Sequence, residues 1–495
     1  MTKKWFRLGM VSVFLFSLAL RFWGLERFNT LVFDEVYFAK FGNNYLTHTP
    51  FFNAHPPLSQ YIIGIGIWIG SHIPFGHDTV NGLTGSLRSP WTYRWLNALT
   101  GSFIPLVVAA IAYQLSYRRS FAILAGLFTA CDGIFLVESR YALSNIYIVI
   151  FGLLGHWFLL LALDNQSRRR SFYLVFAGIT FGASVGTKWN GLWFLSGAYL
   201  IWIAAWVIRG MHSFPNPKLF FTSPSLKEAE GSTYSSSSQT PLQNLTQLNI
   251  FHMLFYLGII PALIYSIIWI PHLQLDKTYG FIAVHQQILK FHLQLGGNSS
   301  NVHPYCAAWY KWPLMTRPMA YYYQTAESIT EPLPVMGPPL PSGAGQVIYD
   351  VHAMGNPFLW WFGVAAMLFL VGMLVSQPVI LWVKEKRFSV PATLSVDTWI
   401  ALYLVINYAA NLLPWVKVTR CVFIYHYMCA VVFIFLAIAW FVDQCLRSYY
   451  QQLRALGVTI TFIILVAFIF WMPVYLGLPL SPHDYKLRMW FNSWI

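Results

Sequence analysis

Residues 421–442 read CVFIYHYMCAVVFIFLAIAWFV, a stretch that contains no Asp, Glu, Lys or Arg. A helix of this length rises about 1.5 Å per residue and crosses the roughly 30 Å apolar core of a bilayer. Blocks like it recur along a chain of 495 residues in which 57% are hydrophobic and 10% charged. A soluble domain carries about 25% charged residues. The pattern therefore predicts an all-α polytopic membrane protein, since a β-barrel shows alternating segments of about ten residues.

The apolar blocks predict about eleven transmembrane helices. They lie near residues 8–25, 92–115, 121–138, 142–163, 172–187, 191–208, 251–270, 357–382, 397–415, 421–442 and 455–472. The first block resembles a signal peptide without an A-x-A cleavage site, so we expect an uncleaved span with the N-terminus inside. The odd count then places the C-terminus outside. Block 58–72 is interpreted as interfacial or re-entrant, because a span there would put the basic runs 118–119 and 168–170 outside.

This topology divides one transmembrane domain, 1–495, into parts. Residues 26–91 form a first long outer loop with interfacial helices, and residues 271–356 form a second. Both are rich in aromatic residues and proline, and long loops in compact proteins are usually functional or disordered. Residues 213–249 include the polar run SLKEAEGSTYSSSSQTPLQN, which predicts a disordered cytoplasmic insertion. Residues 357–495 form a C-terminal part with four transmembrane helices.

The charge and cysteine content exclude several classes of protein. The formal net charge is +14, yet no basic soluble domain exists to bind nucleic acid. The five cysteines are scattered without a CxxC pair, so we expect burial and predict neither a disulfide framework nor a zinc site. The histidines of the second loop are also too irregularly spaced for zinc. No cofactor is predicted, and one weakly held divalent ion near Asp34 is left open.

The pair Asp34-Glu35 directly follows the first apolar block. Carboxylates at a membrane boundary are costly and tend to be functional, although an acidic pair can also favour a helix N-terminus. Neighbouring residues on a helix point about 100° apart. One acid is thus expected to face a substrate while the other holds a cation. His55, before Pro56-Pro57, is either a ligand-facing hydrogen-bonding group or a turn residue.

Isolated cations at helix ends suggest the second half of a site. Arg94, Arg140, Lys188 and Arg420 all fall on the predicted outer face, where Asp34 also lies. A lone cation at a membrane edge more often snorkels to headgroups. A carboxylate among cations also suits group transfer from a lipid phosphate, since the carboxylate can deprotonate the incoming hydroxyl and the cations stabilise the leaving phosphate.

Seven motifs together resemble the protein O-mannosyltransferase family and run across nearly the whole chain. They are FDEVYFAKF (33–41), HPPL (55–58), RWLNALTGSFIPL (94–106), ESRYALSN (138–145), SVGTKWNGLW (184–193), PWVKVTRCVFIYHYMCAVVF (414–433) and RMWFNSWI (488–495). The acidic pair is shared by many membrane glycosyltransferases. HPPL together with the tract Tyr425-His426-Tyr427 is more specific.

The resemblance implies the GT-C fold. It also implies transfer of mannose, with inversion, from dolichyl- or polyprenyl-phosphate mannose to Ser or Thr of secreted or membrane proteins. Asp34 matches the family's essential aspartate, the acceptor-binding base, and Glu35 matches its partner. Six further residues match family motif positions and are expected to bind the donor or its phosphate: Arg21, Arg94, Arg140, Lys188, Arg420 and His426. His55 and Tyr425 belong to the specific motifs and complete the expected substrate-binding set.

This sequence departs from the family pattern in two features, and each has an implication for the enzyme. The 271–356 loop is too short for the β-trefoil MIR domain of eukaryotic members, which implies a bacterial enzyme of the inner membrane with its site facing the periplasm. Asn145 stands where many relatives have an aspartate, which argues against a catalytic role for that position.

Two other functions remain open at this point. A related GT-C enzyme, such as an aminoarabinose-to-lipid-A transferase, would share the acidic loop and the lipid-phosphate carrier, but not the HPPL and Tyr-His-Tyr motifs. A transporter or flippase usually shows paired, broken spans in two symmetric halves, and no such symmetry is visible.

Overall fold

The first part of the chain carries two short helices between its first two long spans, and the second of these short helices packs against the second span. The computed structural model describes residues 2–74, 76, 80–83, 86–165, 167–213, 240–297, 301–326, 346–385 and 394–495. The elements up to the second span are α1 (Lys3–Phe22), α2 (Glu35–Leu46), α3 (Leu58–Gly70), β1 (Asn81–Leu83), β2 (Ser86–Arg88) and α4 (Pro90–Ser116). Strands β1 and β2 pair antiparallel. The predicted interfacial block is α3, whose 13 residues rise only about 20 Å and cannot cross the roughly 30 Å apolar core of a bilayer.

Long helices then alternate with short connections until the second long loop. They are α5 (Arg119–Ala130), α6 (Gly133–Arg140), α7 (Asn145–Asp164), α8 (Ser167–Val185), α9 (Leu192–Ser213), α10 (Ile250–Leu254) and α11 (Ile260–Leu275). A π-helical turn, Phe255–Ile259, joins α10 to α11 into one rod.

The last part of the chain holds a loop with its own helix and sheet, followed by the C-terminal spans. Its elements are α12 (Phe281–Gln294), β3 (Met319–Ala326), β4 (Val347–Ala353), α13 (Pro357–Glu385), α14 (Val396–Leu412), α15 (Met428–Arg447), α16 (Gln451–Leu476) and α17 (Pro482–Arg488). Strands β3 and β4 pair antiparallel, from Met319 opposite Ala353 to Ala326 opposite Val347. This sheet is not in the all-α prediction.

Within the described residues, nine helices are long and apolar enough to cross a membrane, or ten if the bent pair α5–α6 counts as one span. The eleventh predicted span, 172–187, lies on α8. That helix begins at Ser167 and includes Arg168, Arg169 and Arg170, so its mean polarity is higher than that of its neighbours. The polytopic helical class is therefore confirmed, with a slightly smaller set of strongly apolar spans than expected.

The predicted span 121–138 is broken, not straight. Helices α5 and α6 meet at an angle of 59°, because Asp132 ends one helix and starts the next. Its Oδ1 accepts a hydrogen bond from the backbone N–H of Phe135 (3.0 Å), and its Oδ2 accepts one from the indole of Trp360 (2.7 Å). The side chain thus serves as the N-cap of α6 and ties the bend to α13.

Two glycines allow α3 to lie directly against α2. A Cβ on Gly64 would come within 2.8 Å of the Gly42 carbonyl oxygen, and one on Gly42 would lie 3.0 Å from the Gly64 nitrogen. The two helix backbones therefore touch, as small residues permit in membrane bundles. This contact holds the segment that carries Asp34 and Glu35 against the wall formed by α3 and α4.

The connecting segments differ from what the sequence predicts in two respects. The predicted disordered insertion covers 213–249. Residues 214–239 lie outside the described residues, but 241–247 form a short 3₁₀-helix whose Leu242 and Leu245 are buried. The scattered cysteines offered no argument for a disulfide, yet one forms. Cys306 and Cys421 are bonded, with Cα atoms 5.3 Å apart. They are 115 residues apart in sequence, a distance at which spacing gives no signal.

Candidate active site

A cavity of about 550 Å³ lies where the two long loops meet the C-terminal part of the chain. Its wall carries one carboxylate, Asp34, and the cations Lys188 and Arg420. The rest of the lining is mainly aromatic, with histidines among the rings: Phe33, Tyr37, Phe38, Phe41, Phe52, His55, Phe291, His292, His303, Phe423, Tyr425 and His426. Of the ten predicted site residues, six therefore come together here: Asp34, His55, Lys188, Arg420, Tyr425 and His426.

Asp34 stands at the end of the segment that leaves α1, just before α2. Phe33 takes the left-handed backbone conformation (φ 52°), which is uncommon for a residue with a side chain and marks a constrained turn. In the described part of the chain, the Asp34 carboxylate accepts no hydrogen bond; only its backbone carbonyl is used, by Tyr37 and Phe38. Burial raises the pKa of Asp34 to about 6, and the nearby Lys188 opposes that rise.

Lys188 reaches the cavity from the extended residue between α8 and α9. Its Nζ donates to Asn145 Oδ1 at 2.9 Å and lies 5.4 Å from the ring centre of Phe38 and 5.6 Å from that of Tyr425. The side chain is 6% exposed. Burial lowers the pKa of Lys188 to about 8, while the attraction of Asp34 and Glu138 works against that fall. The ammonium is therefore charged at neutral pH, and no carboxylate among the described residues contacts it.

Arg420 is fixed through its backbone and left free at its side chain. An antiparallel bridge pairs it with Gly297, and the next residue, Cys421, is both disulfide-bonded and hydrogen-bonded to the Gly296 carbonyl (2.9 Å). The guanidinium donates to the Cys421 carbonyl (3.0 Å) and makes no ion pair with any described carboxylate. Its other donors are available to a ligand in the cavity.

His55 and His292 are neutral hydrogen-bonding groups at pH 7. Burial, aided by the nearby cations Lys188 and Arg420, holds the pKa of His55 well below its usual value and lowers that of His292 to about 4. The rings of His55 and His292 lie 5.3 Å apart between centroids. His426 is anchored by the backbone N–H of Phe423, 3.1 Å from its Nδ1.

A second cavity, of about 450 Å³, adjoins the first. Both share a common wall, formed by His55, Lys188, His292, Arg420 and His426. Beyond that wall the second cavity is lined largely by apolar groups: Trp189, Leu192, Trp193, Leu289, Pro414, Trp415 and Val418. The cationic and histidine side chains therefore stand between a polar-aromatic chamber and an apolar one.

Glu35 and Arg94 do not line either cavity. The Arg94 guanidinium uses five hydrogen bonds: two to the Glu35 carboxylate (2.7 and 2.9 Å) and three to the carbonyls of Leu25, Phe28 and Thr30. Glu35 also accepts the backbone N–H groups of Val32 (2.8 Å) and Ala142 (2.9 Å). Both side chains are fully buried. Their contacts fit the cation-holding role foreseen for one acid, and do not fit catalysis by Glu35 or phosphate binding by Arg94.

Arg21 and Arg140 also lie away from the cavity, in contrast to the prediction. Arg140 donates to the carbonyls of Leu20, Arg21, Trp23 and Gly24, so it satisfies the free carbonyls at the C-terminus of α1. Arg21 donates to Ser17 Oγ at 2.7 Å. Sequence alone could not separate these arginines from phosphate ligands, because a helix end also presents acceptors to a guanidinium.

One residue that lines both cavities was misjudged from the sequence, and two buried residues behind the first cavity were missed. His292 was considered only as a zinc ligand. Glu138 and Tyr321 were not considered at all, although an acid in an apolar segment is a known functional signal. As for metals, no three described His, Cys, Asp or Glu side chains are grouped to hold an ion. A divalent ion near Asp34 was left open by the sequence and is not predicted.

The fold has a close counterpart among solved structures. The chain aligns over 100% of its length, and 93% of the other chain, with the Saccharomyces cerevisiae protein O-mannosyltransferase Pmt1-Pmt2 complex bound to the sugar donor, at a TM-score of 0.76 and 14% identity. This likeness confirms the GT-C fold. The chain shares with that structure a bundle of helices that are long and apolar enough to cross a membrane.

Comparison of the sequence with protein families identifies the family to which this chain belongs. The family model "Dolichyl-phosphate-mannose-protein mannosyltransferase" matches residues 11–275, and the model "C-terminal four TMM region of protein-O-mannosyltransferase" matches residues 277–494. The chain belongs to the protein O-mannosyltransferase family. It is 24% identical to the polyprenol-phosphate-mannose–protein mannosyltransferase of Mycolicibacterium smegmatis, over 94% of this chain and 88% of that one. The enzyme of the same name from Corynebacterium glutamicum is 23% identical, over 99% and 94%.

We expect Glu35→Ala to lower the free energy of unfolding by about 3–5 kcal/mol, because it leaves the Arg94 guanidinium buried without its counter-charge. Chemical denaturation of the purified protein in detergent measures this loss. The double variant Glu35→Leu with Arg94→Met should recover part of it, since no charge then remains unpaired. A Glu35→Ala protein as stable as the wild type would contradict a structural role for the pair.

Proposed function

We propose that this protein transfers mannose, with inversion, from a polyprenyl-phosphate-mannose donor to Ser or Thr hydroxyls of secreted or membrane proteins. One observation carries the proposal: the large cavity holds a carboxylate without a hydrogen-bond donor, and cations without a carboxylate partner, among the residues described. Buried charges are normally paired. Groups left unpaired in a cavity are available to complete their contacts with a substrate.

The chemistry assigns one role to each half of this set. Asp34 accepts the proton of the acceptor hydroxyl while that oxygen attacks the anomeric carbon of mannose from the face opposite the phosphate. The bond between the anomeric carbon and the phosphate oxygen breaks, and the phosphate leaves with both electrons. Lys188 and Arg420 stabilise the charge on it. The phosphate is a weak base and leaves without an added proton.

The adjoining cavities suit the two ends of the donor. In this proposal the phosphate lies on the shared wall, which contains Lys188 and Arg420, and the polyprenyl chain extends along the apolar second cavity. The mannosyl group occupies the aromatic chamber, where rings such as Phe38 and Tyr425 offer stacking faces. Residues 1–495 act as one catalytic unit, because the cavity draws on the loops 26–91 and 271–356 and on the C-terminal part 357–495.

The relatives favour a protein acceptor. Three relatives that align over 94% or more of this chain are named protein mannosyltransferases, which weighs against the aminoarabinose-to-lipid-A alternative. No feature of the described residues speaks for a transporter.

The disulfide supports a location. Disulfides persist in oxidising compartments, and Cys421 borders the cavity itself. We therefore place the active site on the outer face of the plasma membrane of a bacterium, consistent with the bacterial sources of the full-length relatives. That placement also agrees with the predicted outer position of both long loops.

We expect Asp34→Asn to reduce kcat by about 10²–10⁴-fold, because the amide keeps the shape of the side chain but cannot take a proton. Transfer of labelled mannose from polyprenyl-phosphate mannose to an acceptor peptide measures the rate. Asp276→Asn, an acid in the second long loop outside the cavity, serves as the control and should behave like the wild type. Near-normal turnover of purified Asp34→Asn would rule Asp34 out as the base.

The pH dependence follows from the two shifted groups. Asp34 must be ionised to act as a base, and its pKa is about 6, so kcat should fall about tenfold per pH unit below that value. Lys188 must be protonated to hold phosphate, and its pKa is about 8, so the donor KM should rise above that pH. Rate profiles at saturating and limiting donor separate the two limbs. A kcat that stays constant down to pH 5 contradicts the first assignment.

We expect Arg420→Ala to raise the donor KM by about tenfold to a hundredfold, the value of one charge-assisted contact to phosphate. The KM for acceptor peptide should stay near that of the wild type. Arg420→Lys should recover only part of the loss, since lysine keeps the charge without the fork. Lys417→Ala, an exposed cation three residues away and outside both cavities, is the matched control. Unchanged donor KM in Arg420→Ala would remove Arg420 from the phosphate site.

A further inference from the structure

A fully buried carboxylate, Glu138, lies at the end of α6 behind the cavity. Its side chain is inaccessible to solvent and does not line the cavity. No described cation touches it, since its hydrogen-bond partners are the Asn145 amide and the Tyr321 hydroxyl. Ionisable groups within membrane-spanning segments are costly to keep, so these neutral contacts need an explanation.

The hydrogen bonds of Glu138 form a network with two arms, and one arm runs through Asn145 to Lys188. The Asn145 Nδ2 donates to both oxygens of Glu138, at 3.2 Å each, and Asn145 Oδ1 accepts the Lys188 Nζ at 2.9 Å. A carboxylate can only accept hydrogen bonds, and an ammonium can only donate. The amide therefore has a single orientation that satisfies both neighbours, and that orientation is imposed by Glu138.

The other arm leads to Asp34. The Tyr321 hydroxyl, on β3, donates to Glu138, and the Tyr321 ring stacks on Phe33 with centroids 4.1 Å apart and planes 14° from parallel. Phe33 is the left-handed residue that immediately precedes Asp34. A residue in that conformation persists only where its surroundings hold it, and the stacked Tyr321 ring is such a surrounding.

We propose that Glu138 is a positioning residue of this enzyme, which fixes Lys188 through Asn145 and Asp34 through Tyr321 and Phe33. The proposal rests on the roles given above to Lys188 and Asp34. The two arms can be tested separately, because one positions Lys188, which holds the donor phosphate, and the other positions Asp34, which takes the proton.

The network also explains the asparagine at position 145. An aspartate there would place its carboxylate against that of Glu138, with no hydrogen-bond donor between the two groups. The amide instead donates to one side and accepts from the other. In this chain, position 145 transmits the influence of Glu138 without carrying charge itself.

Kinetics of single variants in the full-length protein test the two arms. Asn145→Ala leaves Lys188 without its partner and should raise the donor KM about tenfold, with a smaller fall in kcat. Tyr321→Phe keeps the stacked ring but loses its tether, and should lower kcat about tenfold while the donor KM changes little. Each factor corresponds to the loss of one buried hydrogen bond. Glu138→Gln, which cannot accept from both partners equally, should show both effects.

Tyr147→Phe is the matched control. The Tyr147 hydroxyl is likewise buried and donates to an amide, Asn97 Oδ1 at 2.8 Å, but neither residue shares a hydrogen bond with Glu138, Asn145 or Lys188. It should keep the wild-type kcat and donor KM with a similar change in thermal stability. If Asn145→Ala and Tyr321→Phe behave like this control, or change both kinetic parameters alike, Glu138 has only a packing role. If Glu138→Gln does not fold, these two variants decide.

The failure of the proposed function gives a different result. A folded wild-type enzyme that transfers no mannose from polyprenyl-phosphate mannose refutes that function before any variant is compared. An active wild type whose variants match Tyr147→Phe leaves the function standing and refutes the role of Glu138 alone.

Discussion

The arrangement of the site depends on one buried ion pair, Glu35 with Arg94. Burying both charges is costly, and removing either one leaves the other uncompensated. The cost is offset because the rigid fork of the guanidinium meets carbonyls of the segment after α1 as well as the carboxylate. Those bonds gather the chain between α1 and α2 around a single point on α4. Since Glu35 is held toward α4, its neighbour Asp34 is presented to the opposite side, where the cavity lies.

The buried charges of this protein have two kinds of environment. Away from the cavity, guanidinium groups are satisfied by carboxylates or by carbonyls at helix ends, as Arg94 and Arg140 show. At the cavity, no opposite charge in the described part of the chain contacts Asp34, Lys188 or Arg420, and their pKa values move toward neutrality as burial requires. Such groups lower the stability of the empty protein. They are retained where a bound substrate supplies the missing contacts, which is the usual exchange of stability for function.

Much of this was accessible from the sequence. Span lengths and basic runs located the helices, and the isolation of Lys188 and Arg420 among apolar blocks marked them as unusual. The same criterion failed for Arg94 and Arg140, because a sequence does not show whether the fold places hydrogen-bond acceptors next to a side chain. Contacts between segments that are distant in the sequence also could not be predicted. The β3–β4 pair and the Cys306–Cys421 bond depend on how two loop segments meet, and Glu138 gains meaning only beside Asn145 and Tyr321.

The disulfide has a consequence for how the enzyme is made. It joins cysteines 115 residues apart, and helices α13 and α14 lie between them in the chain. As the chain enters the membrane from its N-terminus, Asp34 and Lys188 are in place long before the segment that carries Arg420 has left the ribosome. The bond can close only after that segment has been delivered. An unfinished chain thus contains Asp34 and Lys188 without Arg420, so the cavity wall is complete only when the C-terminal part has been made.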